Sequence, residues 1–322
     1  MPHFLDRLLG KGKGRESRPS DDVPPPQWTA APEQSYESGK YSDATTERYE
    51  SGERFFVVQS RLDPPPRFLK LDTAAPMSSK HWRMEFPKSP SAKGRVGSIF
   101  VTRNPTGMTK IVTKKKCEDT CIFSNLPIMA GLYDIVGQKG VYYEVVIKEM
   151  IGVIAIGNPD SLPLRKLTTS SLLTRLTIGS ACLPYPNWRF PGWHQLSVGF
   201  HLDDFRKFFE DSGGGQDYDV SVASLEKISP GDSIGFGYEF ESKSVFYTYN
   251  DKRLPTAFMG VYVPRDCYDV YAAIGVEGEN EFEVNFGTVP FKWKEGNQNA
   301  WKVENHVGVA ETSPPRYDGV PE

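Results

Sequence analysis

Two stretches of this 322-residue chain have residue types at spacings that could do chemistry. The first is Gly231-Asp232-Ser233-Ile234-Gly235, which satisfies the G-x-S-x-G pattern of a nucleophile elbow. Asp266 or Asp269 and then His306 follow in the order that such hydrolases use. The elbow needs a strand, a sharp turn and a helix, so that the serine stands exposed above a parallel sheet. Ser233 instead opens a run that reads as a β-hairpin, and no alternating strand–helix pattern surrounds it. No catalytic residue is therefore expected. The cysteines and histidines offer no better chemistry. Cys117 and Cys121 have three residues between them, Cys182 and Cys267 stand alone, and the five histidines are scattered. A structural zinc site wants a second close pair, so the reading is reduced thiols in a cytosolic protein, with no metal and no cofactor.

The second stretch is Pro314-Pro315-Arg316-Tyr317, a P-P-x-Y sequence. Two prolines hold the backbone in the extended polyproline II form, so less entropy is lost on docking. WW domains offer an aromatic groove for such prolines and a separate pocket for the tyrosine ring. Pro314, Pro315 and Tyr317 are therefore the expected WW-binding residues. Pro25-Pro26-Gln27-Trp28 and Pro65-Pro66-Arg67-Phe68 keep the prolines and an aromatic but lack the tyrosine hydroxyl. They read as proline-rich linker or as weak secondary ligands.

Composition narrows the classes. With 38% hydrophobic residues the chain can bury a sizeable core, and its net charge of -3 gives no nucleic-acid footprint. The longest apolar run, from Val141 to Gly157, is broken by Glu144, Lys148 and Glu149, so no transmembrane segment is expected. The N-terminus places its basic residues after its few apolar ones, the reverse of a secretory signal. Phe4, Leu5, Leu8 and Leu9, followed by Lys11, Lys13, Arg15 and Arg18, could form a short helix for peripheral membrane association. A frayed terminus is the competing reading.

The elements that would position these residues change in texture along the chain. Residues 1–80, rich in Pro and Ser, read as mostly disordered. Residues 81–117 read as a flanking segment containing strands. From there, short β-branched and aromatic runs alternate with turn signals. Ile234, Phe236, Tyr238 and Phe240 share one face with glycines opposite, and Phe282, Val284 and Phe286 alternate with Glu281, Glu283 and Asn285. This period of two marks strands with one buried face. Phe236, Tyr238, Phe246, Phe282, Val284 and Phe286 are the expected core. Strands so closely spaced, with hardly any helical stretch between them, indicate an all-β antiparallel sandwich. Residues 293–322 read as a disordered polar tail, free to bind.

Three blocks in order, from Phe190 to Tyr218, from Gly231 to Phe258 and from Val270 to Phe291, resemble a SPRY domain. The likeness extends upstream through "CIFSNLPI" and "GVYYEVVIKE" and covers about residues 118–292. It is strongest to the branch found in the Ran-binding protein of the microtubule-organising centre and in fungal endosomal SPRY proteins. The resemblance implies a bent sandwich without catalysis that binds a client protein through surface loops. Arg189, Trp193, His194, Asp203, Asp204, Asn250 and Asp251 are the loop residues it points to, although a tryptophan such as Trp193 is also a natural core residue. The fungal relatives use P-P-x-Y to recruit HECT ubiquitin ligases that carry WW domains. The implied role is an adaptor that binds a client and such a ligase, cytoplasmic and associated with endosomes, for sorting of membrane cargo to the vacuole or lysosome. The alternative is a scaffold subunit of another complex, for degradation or chromatin, with the tail motif incidental. Neither the helical LisH and CTLH modules of the Ran-binding branch nor the transmembrane anchor of the fungal one is expected here. Residues 158–179, rich in Ser, Thr and Leu, interrupt the family pattern. They read either as an exposed loop or short helix extruded from the sandwich, or as translated intron sequence.

Overall fold

A computed structural model describes residues 46–59, 77–86, 98–130, 135–150, 174–211, 214–219, 222, 228–261 and 269–306. Their strands form two seven-stranded sheets. The first sheet runs in the order β1 (Met84–Glu85), β4 (Thr120–Ser124), β13 (Val270–Glu277), β6 (Arg175–Cys182), β7 (Ser197–His201), β8 (Arg206–Phe209) and β9 (Gln216–Asp217). The second runs β12 (Lys252–Phe258), β11 (Ser244–Tyr249), β10 (Ser233–Glu239), β5 (Gly140–Met150), β14 (Asn280–Asn285), β3 (Thr109–Thr113) and β2 (Ile99–Arg103). Every neighbouring pair is antiparallel. The molecule is the all-β sandwich that the period-two pattern requires.

The six expected core residues are all buried. Five of them lie between the sheets, in the cluster that also holds Tyr143, Val145, Ile178 and Phe200. Tyr143 on β5 also ties the sheets together, because its hydroxyl donates to the Gly179 carbonyl on β6 at 2.6 Å. Tyr143→Phe leaves that buried carbonyl without its donor and is expected to cost about 1–2 kcal/mol in a urea melt.

Phe246 faces the other way. In the β10–β11 register it lies opposite Gly237, whereas Phe236 lies opposite Tyr247, and cross-strand partners share a face. A Cβ built on Gly237 would come within 2.1 Å of the Phe246 ring, and one on Gly235 within 2.0 Å of the Tyr142 hydroxyl. The glycines therefore line a second aromatic layer on the outer face of the second sheet. Tyr142, Phe246, Phe291, Trp293 and Trp301 compose it.

That layer corrects the expected tail. Residues 293–306 are not a polar coil, because three short 3-10 turns, Lys294–Asn297, Asn299–Trp301 and Val303–His306, fold back onto β5 and β11. Trp293, Trp301 and Val303 are all buried. Glu144 on β5 fastens the segment, its carboxylate accepting from the backbone N–H groups of Lys292 and Trp293, each at 3.0 Å, and from the Tyr142 hydroxyl at 2.8 Å. Burial pushes the Glu144 carboxyl above the usual range, and these hydrogen bonds pull it back.

Two other expected boundaries also move. Residues 175–179, placed in the extruded stretch, belong to β6 and pair with β13 and β7 in the middle of the first sheet. The rest of that stretch up to residue 173 lies outside the described residues. Within the expected N-terminal disorder, Thr46–Gln59 form a helix, α1. Gly52 in its middle weakens helical propensity and hid it from a sequence reading. That glycine lies where a Cβ would meet Arg189 Cδ at 3.0 Å, and Phe55 meets the Trp188 ring edge-on at 5.6 Å. Farther along, Trp82 is buried and donates to the Pro127 carbonyl at 3.0 Å.

Candidate functional site

The loop between β6 and β7 carries three of the expected client-binding residues, and the structure places all three inside. Arg189, Trp193 and His194 are 0%, 3% and 4% exposed. The loop lies flat on the outer face of the first sheet, where glycines leave room for it: a Cβ on Gly275 of β13 would come within 2.7 Å of the Phe190 ring. Trp193 stacks on Phe190 with ring centres 5.0 Å apart and packs on His201 at 5.4 Å. Arg189 donates from Nη2 to the Trp193 carbonyl at 2.9 Å. Burial, with the Arg189 charge nearby, holds the His194 imidazole down to about 3. His194 therefore presents no water-facing imidazole. These residues hold the loop down and offer no exposed contact, which corrects the expectation for them. Their types were readable as loop chemistry, but the glycine floor beneath them was not.

The other four are brought to one end of the sandwich. The tight β13–β14 connection joins the two sheets there, so the end of β13 and the start of β14 coincide. Antiparallel pairing then carries the β7–β8 turn, with Asp203 and Asp204, and the β11–β12 turn, with Asn250 and Asp251, to that same end. Asn250 is half-buried and donates to Asp232 Oδ1 at 2.9 Å, while its own Oδ1 accepts from the Ser233 N–H at 3.0 Å. Tyr249 donates to the other Asp232 oxygen at 2.8 Å. Lys292 reaches Asn250 Oδ1 at 3.1 Å, so the fastened C-terminal segment also braces this turn. Asp251 is exposed.

The β7–β8 turn is more enclosed. Ring nitrogen and carboxylate oxygens from His201, Asp203 and Asp204 lie within 4.8 Å of one another. His201 is fully buried between Trp193 and Phe208, the latter ring 4.0 Å away. Burial and the Arg175 charge hold its imidazole well below the usual range. Asp204 is pushed up to about 8 by burial and by the neighbouring Asp203 charge. Asp203 is raised by burial, with Arg175 opposing. Arg175 Nε stands 3.7 Å from Asp203 Oδ2 and 3.4 Å from Glu277 Oε2. The sequence singled out the aspartates but not the histidine, although His-x-Asp-Asp spacing across a tight turn was there to be seen.

A further surface went unseen because its members come from strands of different sheets. Phe209 of β8 and Phe258 of β12 pack with ring centres 5.6 Å apart, beside Met259, which is 80% exposed. The nucleophile elbow of a hydrolase does not form at Ser233. Ser233 is buried within β10, opposite Val146 of β5, and no helix follows it. Asp269 is buried, Asp266 lies outside the described residues, and so does the side chain of His306. Pro314, Pro315 and Tyr317 also lie outside them, as do both near-miss proline segments and the N-terminal apolar face.

Residues 141–289 match the SPRY domain family profile. The chain is 30% identical over 142 residues to Protein ssh4 of Sclerotinia sclerotiorum and to Protein ssh4 of Neurospora crassa. Those alignments take in 44% of this chain but only 25% and 26% of the relatives, so the chain spans about a quarter of their length. A SPRY domain-containing protein of Schizosaccharomyces pombe is 26% identical over 244 residues, covering 68% of this chain and 60% of that protein. Among solved structures, a human SPRY domain is 18% identical with a TM-score of 0.38, covering 57% of this chain and 94% of that one.

Proposed function

We propose, for a chain that carries a SPRY domain at residues 141–289, that it is an adaptor joining a client protein to a WW-domain HECT ubiquitin ligase. SPRY is a protein-interaction fold rather than a typical enzyme fold. The client is held at the end of the sandwich where Asn250 and Asp251 stand. The ligase is recruited by Pro314, Pro315 and Tyr317, and the outcome is ubiquitination of membrane cargo at the endosome and its sorting to the vacuole or lysosome.

The observation that carries this reading is the pairing of an interaction fold with a P-P-x-Y sequence a short tether away. Val303 is buried against the domain, and Pro314 follows eleven residues later. Such a tether reaches at most roughly 36 Å at about 3.3 Å per residue. A ligase on this tether shares a small volume with the client, which raises the effective concentration of the client's lysines. No helix among the described residues is long and apolar enough to cross a membrane.

The test is a titration of tandem WW domains into the purified chain. Single contacts of this size are weak, on the order of 10–100 micromolar, or about -5 to -7 kcal/mol. Tyr317→Ala is expected to abolish binding with the circular dichroism spectrum unchanged. Pro315→Ala is expected to weaken it, through lost ring packing and a less extended backbone. Removing the two near-miss segments should cost less than Tyr317→Ala. If the Tyr317 variant binds like wild type, the tail motif is incidental and the chain is a SPRY scaffold of another complex.

A further inference from the structure

We propose that His201, Asp203 and Asp204 form a binding site for one divalent transition-metal cation, zinc or manganese, at the β7–β8 turn. The three residues each bring one ligand atom to within 4.8 Å of the others, at the end of the sandwich that also carries the Asn250–Asp251 turn. An imidazole nitrogen with two carboxylate oxygens is a donor set for zinc or manganese. Calcium prefers an all-oxygen shell.

Four observations beyond the acidic pair point to a ligand. One ring N–H of His201 donates to the backbone carbonyl of Pro191. In the neutral ring this leaves the other nitrogen with the lone pair, and such a bond to a carbonyl is the usual way of orienting a metal-binding histidine. Thr177 is fully buried, its hydroxyl has no hydrogen-bond partner among the described residues, and the β6–β7 register sets it directly across from His201 on the same face. Asp203 Oδ1 and Asp204 Oδ2 are likewise shielded from water without a hydrogen bond, a costly state for carboxylate oxygens. Finally, acidic groups crowd here: Asp203 and Glu277 share the Arg175 guanidinium, at 3.7 and 3.4 Å, with Asp204 beside them. The ion would fix the turn beside the proposed client end, and water would complete its shell.

The site is independent of the ligase reading, and its test does not involve one. Full-length, tag-free protein is stripped with a chelator and dialysed against zinc, manganese or calcium, and bound metal is counted by elemental mass spectrometry alongside thermal melts. The expected result is one equivalent of zinc or manganese, a higher Tm, and at least tenfold weaker calcium binding. Asp203→Asn and Asp204→Asn are each expected to lose that equivalent and the Tm rise. Both variants should fold, because each removes one of the crowded charges, and Asn at 204 retains an oxygen for the Arg206 N–H that Asp204 Oδ1 now accepts at 3.0 Å. His201→Gln, which sits in the aromatic stack, is read only alongside these two. Retention of no metal, equal binding of calcium, or an equivalent that persists in both aspartate variants would overturn the site.

Discussion

Trp301→Ala is expected to cost about 3–5 kcal/mol of folding free energy, the range for removing a large buried aromatic, although Trp301 lies outside every strand. Its ring packs edge-on against Phe246 at 5.5 Å and Trp293 at 5.3 Å. A Cβ on Gly140 would approach it to 2.4 Å, so the indole fits against bare β5 backbone. Its loss opens a cavity over the outer face of the second sheet and loosens the segment that Glu144 fastens. The measurement is a urea melt followed by tryptophan-independent circular dichroism. A loss below about 1 kcal/mol would mean that the segment from Phe291 to Val303 is not part of the cooperative fold. In that case the tether to Pro314 would start at the end of β14, and the geometric part of the adaptor reading would need revision.

Phe286→Ala is expected to destabilise by about 3–5 kcal/mol for a different reason. Phe286 is 2% exposed and lies just past β14, packed on Tyr143 with ring centres 5.6 Å apart. Tyr143 in turn packs on Phe236 at 5.5 Å and bonds across to Gly179. The cavity would therefore open between the sheets, next to the one side-chain hydroxyl described above as linking them. The two substitutions sit on opposite faces of the second sheet and do not touch. Their effects should add to within about 0.5 kcal/mol in the double variant, and a larger coupling would show that the two aromatic layers act as one.

How much of this was legible depends on how local the cause is. The alternation of Phe282 and Val284 with Glu281 and Glu283 declares a strand with one wet face, and the structure keeps that assignment. At the Asn250–Asp251 turn between β11 and β12, Asn250 adopts a positive φ of 53° that asparagine tolerates. The logic of alternation failed for β10. Glycines opposite Phe236 and Tyr238 look like an exposed face, yet in the fold they leave space for Tyr142 and Phe246.

By itself the sequence determined the antiparallel all-β class and the six buried residues. Those features depend on side-chain period and composition, which are properties of short stretches. Only the tertiary structure decided that Arg189, Trp193 and His194 are inside, that Phe246 faces away from the central core, and that residues 293–306 are anchored. It also decided that His201 joins Asp203 and Asp204. Each of these depends on a surface supplied by strands far away in the chain: the glycine floor at Gly275, the carboxylate of Glu144, the pairing of β6 with β7. Burial is a relation between two surfaces, and a sequence read segment by segment holds only one of them at a time.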